Sequence, residues 1–261
     1  MNRKYTGTGT GGAAFALSVL LTTMLLAPAG CVPPESYYQE GQEELGQVSV
    51  FEDVEEAEQI ALYLDDDVLL DRFLLKRVFY DMTLIRGAFG GEIEALLNIR
   101  FRPPCKDGRI MIVFDEAIYD TVLAGEYEDW TELNDRYLPY DVKTVDRLRK
   151  VYLYFDGLLD YRTLAGRYAA LPHVTSAECV EPAGDSANIY ARRTDTGIDY
   201  LFRAAWGACP SGCTNNEFYY FVCENDDAIF VGYWNPGESA GPPEWWPAAR
   251  KCLPEKLREQ F

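Results

Sequence analysis

A largely apolar stretch at residues 13–27, preceded by Arg3 and Lys4 and followed closely by Cys31, constrains where this chain folds before anything says how it folds. At about 15 residues the stretch is too short to span a bilayer comfortably as a helix, which takes roughly 20. A charged start, a short apolar middle and the small residues Ala27-Pro28-Ala29-Gly30 instead describe a cleaved export signal over residues 1–30. Export implies an oxidising compartment, where thiols pair. The chain has seven cysteines: Cys31, Cys105, Cys179, Cys209, Cys213, Cys223 and Cys252. An odd thiol in an exported chain needs a role of its own, and giving Cys31 that role leaves an even set for disulfides.

Two cleavage patterns overlap here. Ala27-Pro28-Ala29 fits the A-x-A rule and would leave Gly30-Cys31 at the mature start. Ala29-Gly30-Cys31 resembles the end of a bacterial lipoprotein signal, with Pro28 where that family carries Leu or another aliphatic residue. The resemblance implies a mature chain that begins at Cys31, carries lipid there and has the membrane as a partner. Val32, in place of Asp, implies outer-membrane placement.

The formal net charge is −18, and removing Arg3 and Lys4 with the signal takes it to −20. Nucleic acid and anionic headgroups need cationic faces, so this charge disfavours both as partners. The acids are unevenly placed: residues 32–71 hold no Lys or Arg. Residues 31–48 have the composition of an acidic linker. Asp65-Asp66-Asp67 reads as a solvated turn between helices; a calcium loop would need alternation and a glycine that it lacks. Hydrophobic residues make up 48% of the chain, enough for a globular core.

Residues 49–102 read as a helical segment. Ser49 with Glu52, and Asp53 with Glu56, make capping-box patterns. Val54, Ala57, Ile60, Ala61 and Leu64 recur at helical spacing. Leu70, Leu74, Val78, Met82, Ile85 and Phe89 line a second helix that Gly90-Gly91 stop. Residues 109–114 and 151–155 are apolar runs of buried-strand length, with a weaker strand at 140–144. Residues 158–171 read as a helix closed by Pro172, and 173–180 as a strand. Strand-helix-strand-strand-helix-strand is the split βαβ order of a ferredoxin-like unit, at residues 103–183.

The end of that unit carries a resemblance. Leu164-Ala165 followed by Leu171-Pro172-His173-Val174-Thr175-Ser176-Ala177-Glu178 resembles the last helix and strand of subtilisin-type propeptides and their inhibitor relatives, with His173 where those have glycine. Over residues 109–181 the resemblance implies the ferredoxin-like fold. It also implies protease inhibition by the tail after the last strand, a tail that Cys179 can tie down here.

Residues 184–261 read as a disulfide-tied antiparallel meander and C-terminal tail, with strands at 187–192, 199–206, 217–223 and 228–234. Trp206-Gly207-Ala208-Cys209-Pro210-Ser211-Gly212-Cys213, followed by Phe218-Tyr219-Tyr220-Phe221, is similar to uncharacterised bacterial secreted proteins and lipoproteins with a C-P-x-G-C hairpin connection. The fold class is α+β: N-terminal helices, a ferredoxin-like unit and a C-terminal meander.

First and last strands of a ferredoxin-like sheet are antiparallel neighbours, which pairs Cys105 with Cys179. Cys209 and Cys213 flank a short turn and pair locally; zinc, their rival use, is disfavoured by export and by a lone, distant histidine. Cys223 and Cys252 remain for each other.

No cofactor motif survives its context. Gly7-Thr8-Gly9-Thr10-Gly11-Gly12 satisfies G-x-G-x-x-G inside the signal, with no βαβ unit after it. Gly237-Glu238-Ser239-Ala240-Gly241 satisfies G-x-S-x-G, but Pro242-Pro243 oppose the helix a nucleophile elbow needs. His173 reads as a strand-edge residue. The sequence predicts a non-enzymatic envelope protein, without cofactor or metal, that binds an unknown protein or envelope polymer. Its binding surface is a sheet face or the aromatics Tyr219, Tyr220, Trp245 and Trp246. The alternatives are a protease inhibitor, and a hydrolase using Asp115, Glu116 and Asp156.

Overall fold

The computed structural model describes residues 50–65, 67–105, 108–180, 184–209 and 212–261. The signal, the acidic linker, Cys31 and Asp66 lie outside the described residues. Helices α1 (Val50–Leu64) and α2 (Arg72–Phe89) form where the apolar spacing places them. Asp71 starts α2 by accepting a hydrogen bond from the Phe73 N–H. Gly90 ends it, where an added Cβ would lie 2.4 Å from the Arg86 carbonyl oxygen. Asp53 does not cap a helix as its pattern suggests. α1 already runs from Val50, and Asp53 and Glu56 turn to the buried Arg86 guanidinium. Arg86 also donates to the carbonyls of Leu96 and Ile99, and Glu56 accepts the Phe101 N–H. This ionic cluster fastens α1, α2 and the short α3 (Ala95–Asn98) to the chain leading into the first sheet.

That sheet contains β1 (Arg109–Phe114), β2 (Asp141–Val145), β3 (Lys150–Tyr154) and β4 (Val174–Cys179). Between β1 and β2 run α4 (Glu116–Leu123), a 3-10 turn (Glu128–Trp130) and α5 (Thr131–Tyr137); α6 (Tyr161–Ala169) joins β3 to β4. The strand order is β2-β3-β1-β4 with every neighbour antiparallel, the ferredoxin-like order. Alternation puts Ile110, Ile112, Phe114, Val151 and Leu153 inward, against Tyr119, Val122, Leu164 and Tyr168. His173 is not yet strand. It sits at φ 62 in the left-handed region, the conformation glycine adopts without strain, and β4 starts one residue later.

The second sheet is a meander of β5 (Asn188–Arg193), β6 (Gly197–Trp206), β7 (Asn215–Glu224) and β8 (Asp227–Trp234), in that order. Both faces of its strands β5–β7 are covered, while Ile229, Val231 and Tyr233 of β8 are exposed. Ile189, Tyr200, Phe202, Phe221 and Cys223 pack with Ile60, Val78, Met82 and Ile85 of the two long helices. Tyr190, Leu201, Phe218, Tyr220 and Trp234 pack with Trp246, Ala249, Cys252 and Leu253 of the C-terminal segment, which holds α7 (Trp246–Ala249) and α8 (Glu255–Arg258). The helical segment therefore covers the sheet most distant from it in sequence. Each fully buried apolar side chain in these cores contributes about 1.5–3 kcal/mol.

Candidate binding surface

Four of the cysteines are bonded. Cys105–Cys179 joins the chain before β1 to the end of β4, whose Cys179 stands opposite Ile110 in the ladder. Cys209–Cys213 closes the loop between β6 and β7. The expected third pair does not form: Cys223 and Cys252 are free and buried. Side chains on a strand alternate, so Cys223 lies with Tyr219 and Phe221 on the α1–α2 face, while Cys252 packs on the other. Assignment by elimination missed this because it ignored which face Cys223 occupies. The two disulfides indicate an oxidising, extracytoplasmic setting.

Arg203 anchors the Cys209–Cys213 loop. It is fully buried and donates from both terminal nitrogens to Asp185 at 2.6 Å, and from Nε to Asn216 at 2.7 Å. Asp185 also accepts the Cys213 N–H, and Asn216 donates to the Cys213 carbonyl. Burial pushes the Asp185 carboxyl up, but Arg203 and backbone N–H donors prevail and hold it below the usual range. Cys179 is thus fastened to Cys105, and Asp185 to Arg203.

The four aromatic candidates do not share a surface. Tyr219 and Tyr220 point to opposite faces of the second sheet and are buried, as is Trp246. Trp245 stacks on Tyr220 with centroids 5.6 Å apart. Gly232 makes room for it, since a Cβ there would lie 2.4 Å from Trp245 Nε1. These rings close the core over the meander, and sequence alone could not separate that use from ligand binding.

The candidate carboxylates are dispersed as well. Asp115 and Glu116 follow the end of β1, whereas Asp156 follows β3, which runs the other way. A strand length, roughly 20 Å, separates the two ends. Asp115 accepts the Ile118 N–H at the start of α4 and meets His173 Nδ1 at 2.9 Å, and the His173 contact holds its carboxyl below the ordinary range. Glu116 pairs with Arg149. Asp67 accepts the Val68 N–H and pairs with Arg167. Among the described residues no cluster of three or more His, Cys, Asp or Glu side chains is placed to hold a metal.

Among the described residues, the side chains on the outer face of the first sheet join none of the buried cores. Cross-strand pairing aligns Asp141, Tyr154 and Arg109, then Lys143, Tyr152, Met111 and Glu178, then Val145, Lys150, Val113 and Ser176 on it. Met111, Val113, Tyr152 and Tyr154 are half-buried. Lys143 lies 4.7 Å from the Tyr154 ring and Arg109 5.8 Å from the Tyr152 ring, so the aromatics are framed by cations. Arg109, Met111, Tyr152 and Glu178 line a surface hollow together with Val180. Three cations against two carboxylates give this face a slight positive balance in a strongly acidic chain. Its residues escaped the sequence reading because Arg109–Phe114 reads as one apolar run, which hides that Met111 and Val113 point away from the core.

Comparison with known proteins returns no match to a family model, a curated protein or a solved structure.

Proposed function

We propose that this is an exported envelope protein, lipid-anchored at Cys31, that binds a protein or envelope polymer across the open face of its first sheet. The observation that carries the reading is the contrast between the sheets. Most of the meander packs into a core on each face, with Ile229, Val231 and Tyr233 of β8 exposed, while the ferredoxin-like sheet presents half-buried Met111, Val113, Tyr152 and Tyr154 on a face against which the described residues build no core. Apolar and aromatic side chains rimmed by charge are the usual composition of an interaction surface. The signal-like segment and the two disulfides support the location.

Retention on washed envelopes tests the surface separately from the anchor. In a Cys31→Ser background the chain is expected to be retained, and Met111→Glu or Tyr152→Glu to release it. Equal retention of both face variants would overturn the proposed surface. Intact mass of the membrane-extracted protein tests the anchor; a lipid-free species beginning at Gly30 would remove it.

A further inference from the structure

We infer that β2 is the pairing edge for a second copy of this chain, joined antiparallel about a two-fold axis at Val142. The inference stands on the register of this strand and not on the binding reading above. Among the described residues, β2 ends the first sheet and pairs only with β3. The chain around it carries a concentration of exposed apolar side chains: Leu138 is 72% exposed, Tyr140 66%, Leu148 55% and Val142 47%. Leu153, opposite Val142 on β3, is wholly buried, so the helical layer covers β3 and stops short of β2. The β2–β3 ladder has no bulge, and the strand itself has no proline, two of the devices that normally blunt an edge.

Backbone parity limits how such an edge can pair with itself. The Phe155 N–H donates to the Gly108 carbonyl at 2.7 Å, so alternate residues of β3, Tyr154, Tyr152 and Lys150, turn their polar groups toward β2 and exchange them with their partners Asp141, Lys143 and Val145. Val142 and Thr144 turn theirs outward. Two copies must match outward residues with outward residues. Centring the axis on Asp141 sets that carboxylate against its own copy, and centring it on Lys143 does the same to the ammonium; like charges directly opposite destabilise. Centring on Val142 places Asp141 of each copy opposite Lys143 of the other, at the closer, non-hydrogen-bonded spacing. The two Val142 residues then form the hydrogen-bonded pair on the axis. Within one copy Asp141 and Lys143 already lie 3.1 Å apart, so the pairing builds an alternating cluster of four charges. This charge complementarity selects a second copy as the occupant. The strand is short and both copies are acidic, which sets the expected dissociation constant at roughly micromolar or weaker.

Sedimentation velocity of the full chain in detergent, over roughly a hundredfold range of concentration, is expected to show a reversible dimer. Asp141→Lys is expected to weaken it by about tenfold or more, and Asp141→Lys with Lys143→Asp to restore it, because the swap returns opposite charges to both positions. With an added mild oxidant, Val142→Cys is expected to give a disulfide-linked dimer and Thr144→Cys, displaced from the axis, to give little. A monomer throughout, a dimer indifferent to Asp141→Lys, or equal cross-linking at both positions would each overturn the inference. The cross-linking contrast also separates this edge from association through the N-terminal apolar segment.

Discussion

Cys223 and Cys252 are both buried and unbonded, and the second sheet lies between them: one thiol packs with α1 and α2, the other with the C-terminal segment. Burial pushes both thiols up, Cys252 to about 12, so neither is an effective thiolate near neutrality. In the folded protein both are expected to resist alkylation, and on denaturation both to react. Non-reducing peptide mapping should find Cys105–Cys179 and Cys209–Cys213. A linked Cys223–Cys252 peptide would contradict the arrangement of the two faces.

The two disulfides differ in what they close. Cys105–Cys179 spans 74 residues and Cys209–Cys213 spans 4. Loop entropy in the unfolded chain makes the long link worth about 4 kcal/mol and the short one about 2. Removing Cys105 and Cys179 together is therefore expected to lower unfolding stability more than removing Cys209 and Cys213, as measured by denaturant titration.

Asp81 ties α2 to β6. It is 0% exposed, lies 2.9 Å from Arg77 Nε and accepts the Tyr200 hydroxyl at 3.1 Å. Burial pushes its carboxyl up to about 6, although Arg77 and Tyr200 pull the other way. Because the folded state holds this proton more tightly than the unfolded state, the group's contribution to stability is greatest below the ordinary carboxylate range. It is lost as pH rises toward 6. From pH 7 to 5 it is expected to add about 1 kcal/mol of stability, and Asp81→Asn to remove that dependence. Glu58, also raised by burial, acts in the same direction, so Glu58→Gln is the matching control.

Asp185 and Arg203 form a pair whose two halves are not equivalent to the whole. Asp185→Ala leaves a fully buried guanidinium without its carboxylate, and a loss of about 3–5 kcal/mol is expected. Asp185→Leu with Arg203→Met removes both charges and is expected to cost much less. Chemical denaturation of the three proteins measures the difference.

Much of the fold was legible because its signals are local. Leu74, Val78, Met82 and Ile85 mark a helix by spacing, and residues 109–114 have strand length and composition. Covalent logic reached further, since strand order alone paired Cys105 with Cys179. The readings that failed depend on which face a residue occupies. Cys223 and Cys252 look like natural partners until the pleat separates them, and Tyr219 and Tyr220 look like one patch until alternation sends them to opposite cores. The ionic anchors were hidden for a related reason. Arg86 and Glu56, or Arg203 and Asp185, are ordinary charged residues until folding buries them together. The open face was hardest to see, because Met111 and Val113 carry the same chemistry as the core residues between them.

Site-specific photo-cross-linking measures the central claim most directly. A photoreactive residue at Tyr152 on the open sheet face is compared, in native envelopes, with one at Ile229 on the exposed edge of the meander. The account predicts a discrete cross-linked product from Tyr152, lost when Met111→Glu is added, and none of that product from Ile229. The same product from both positions, or from Ile229 alone, would contradict it.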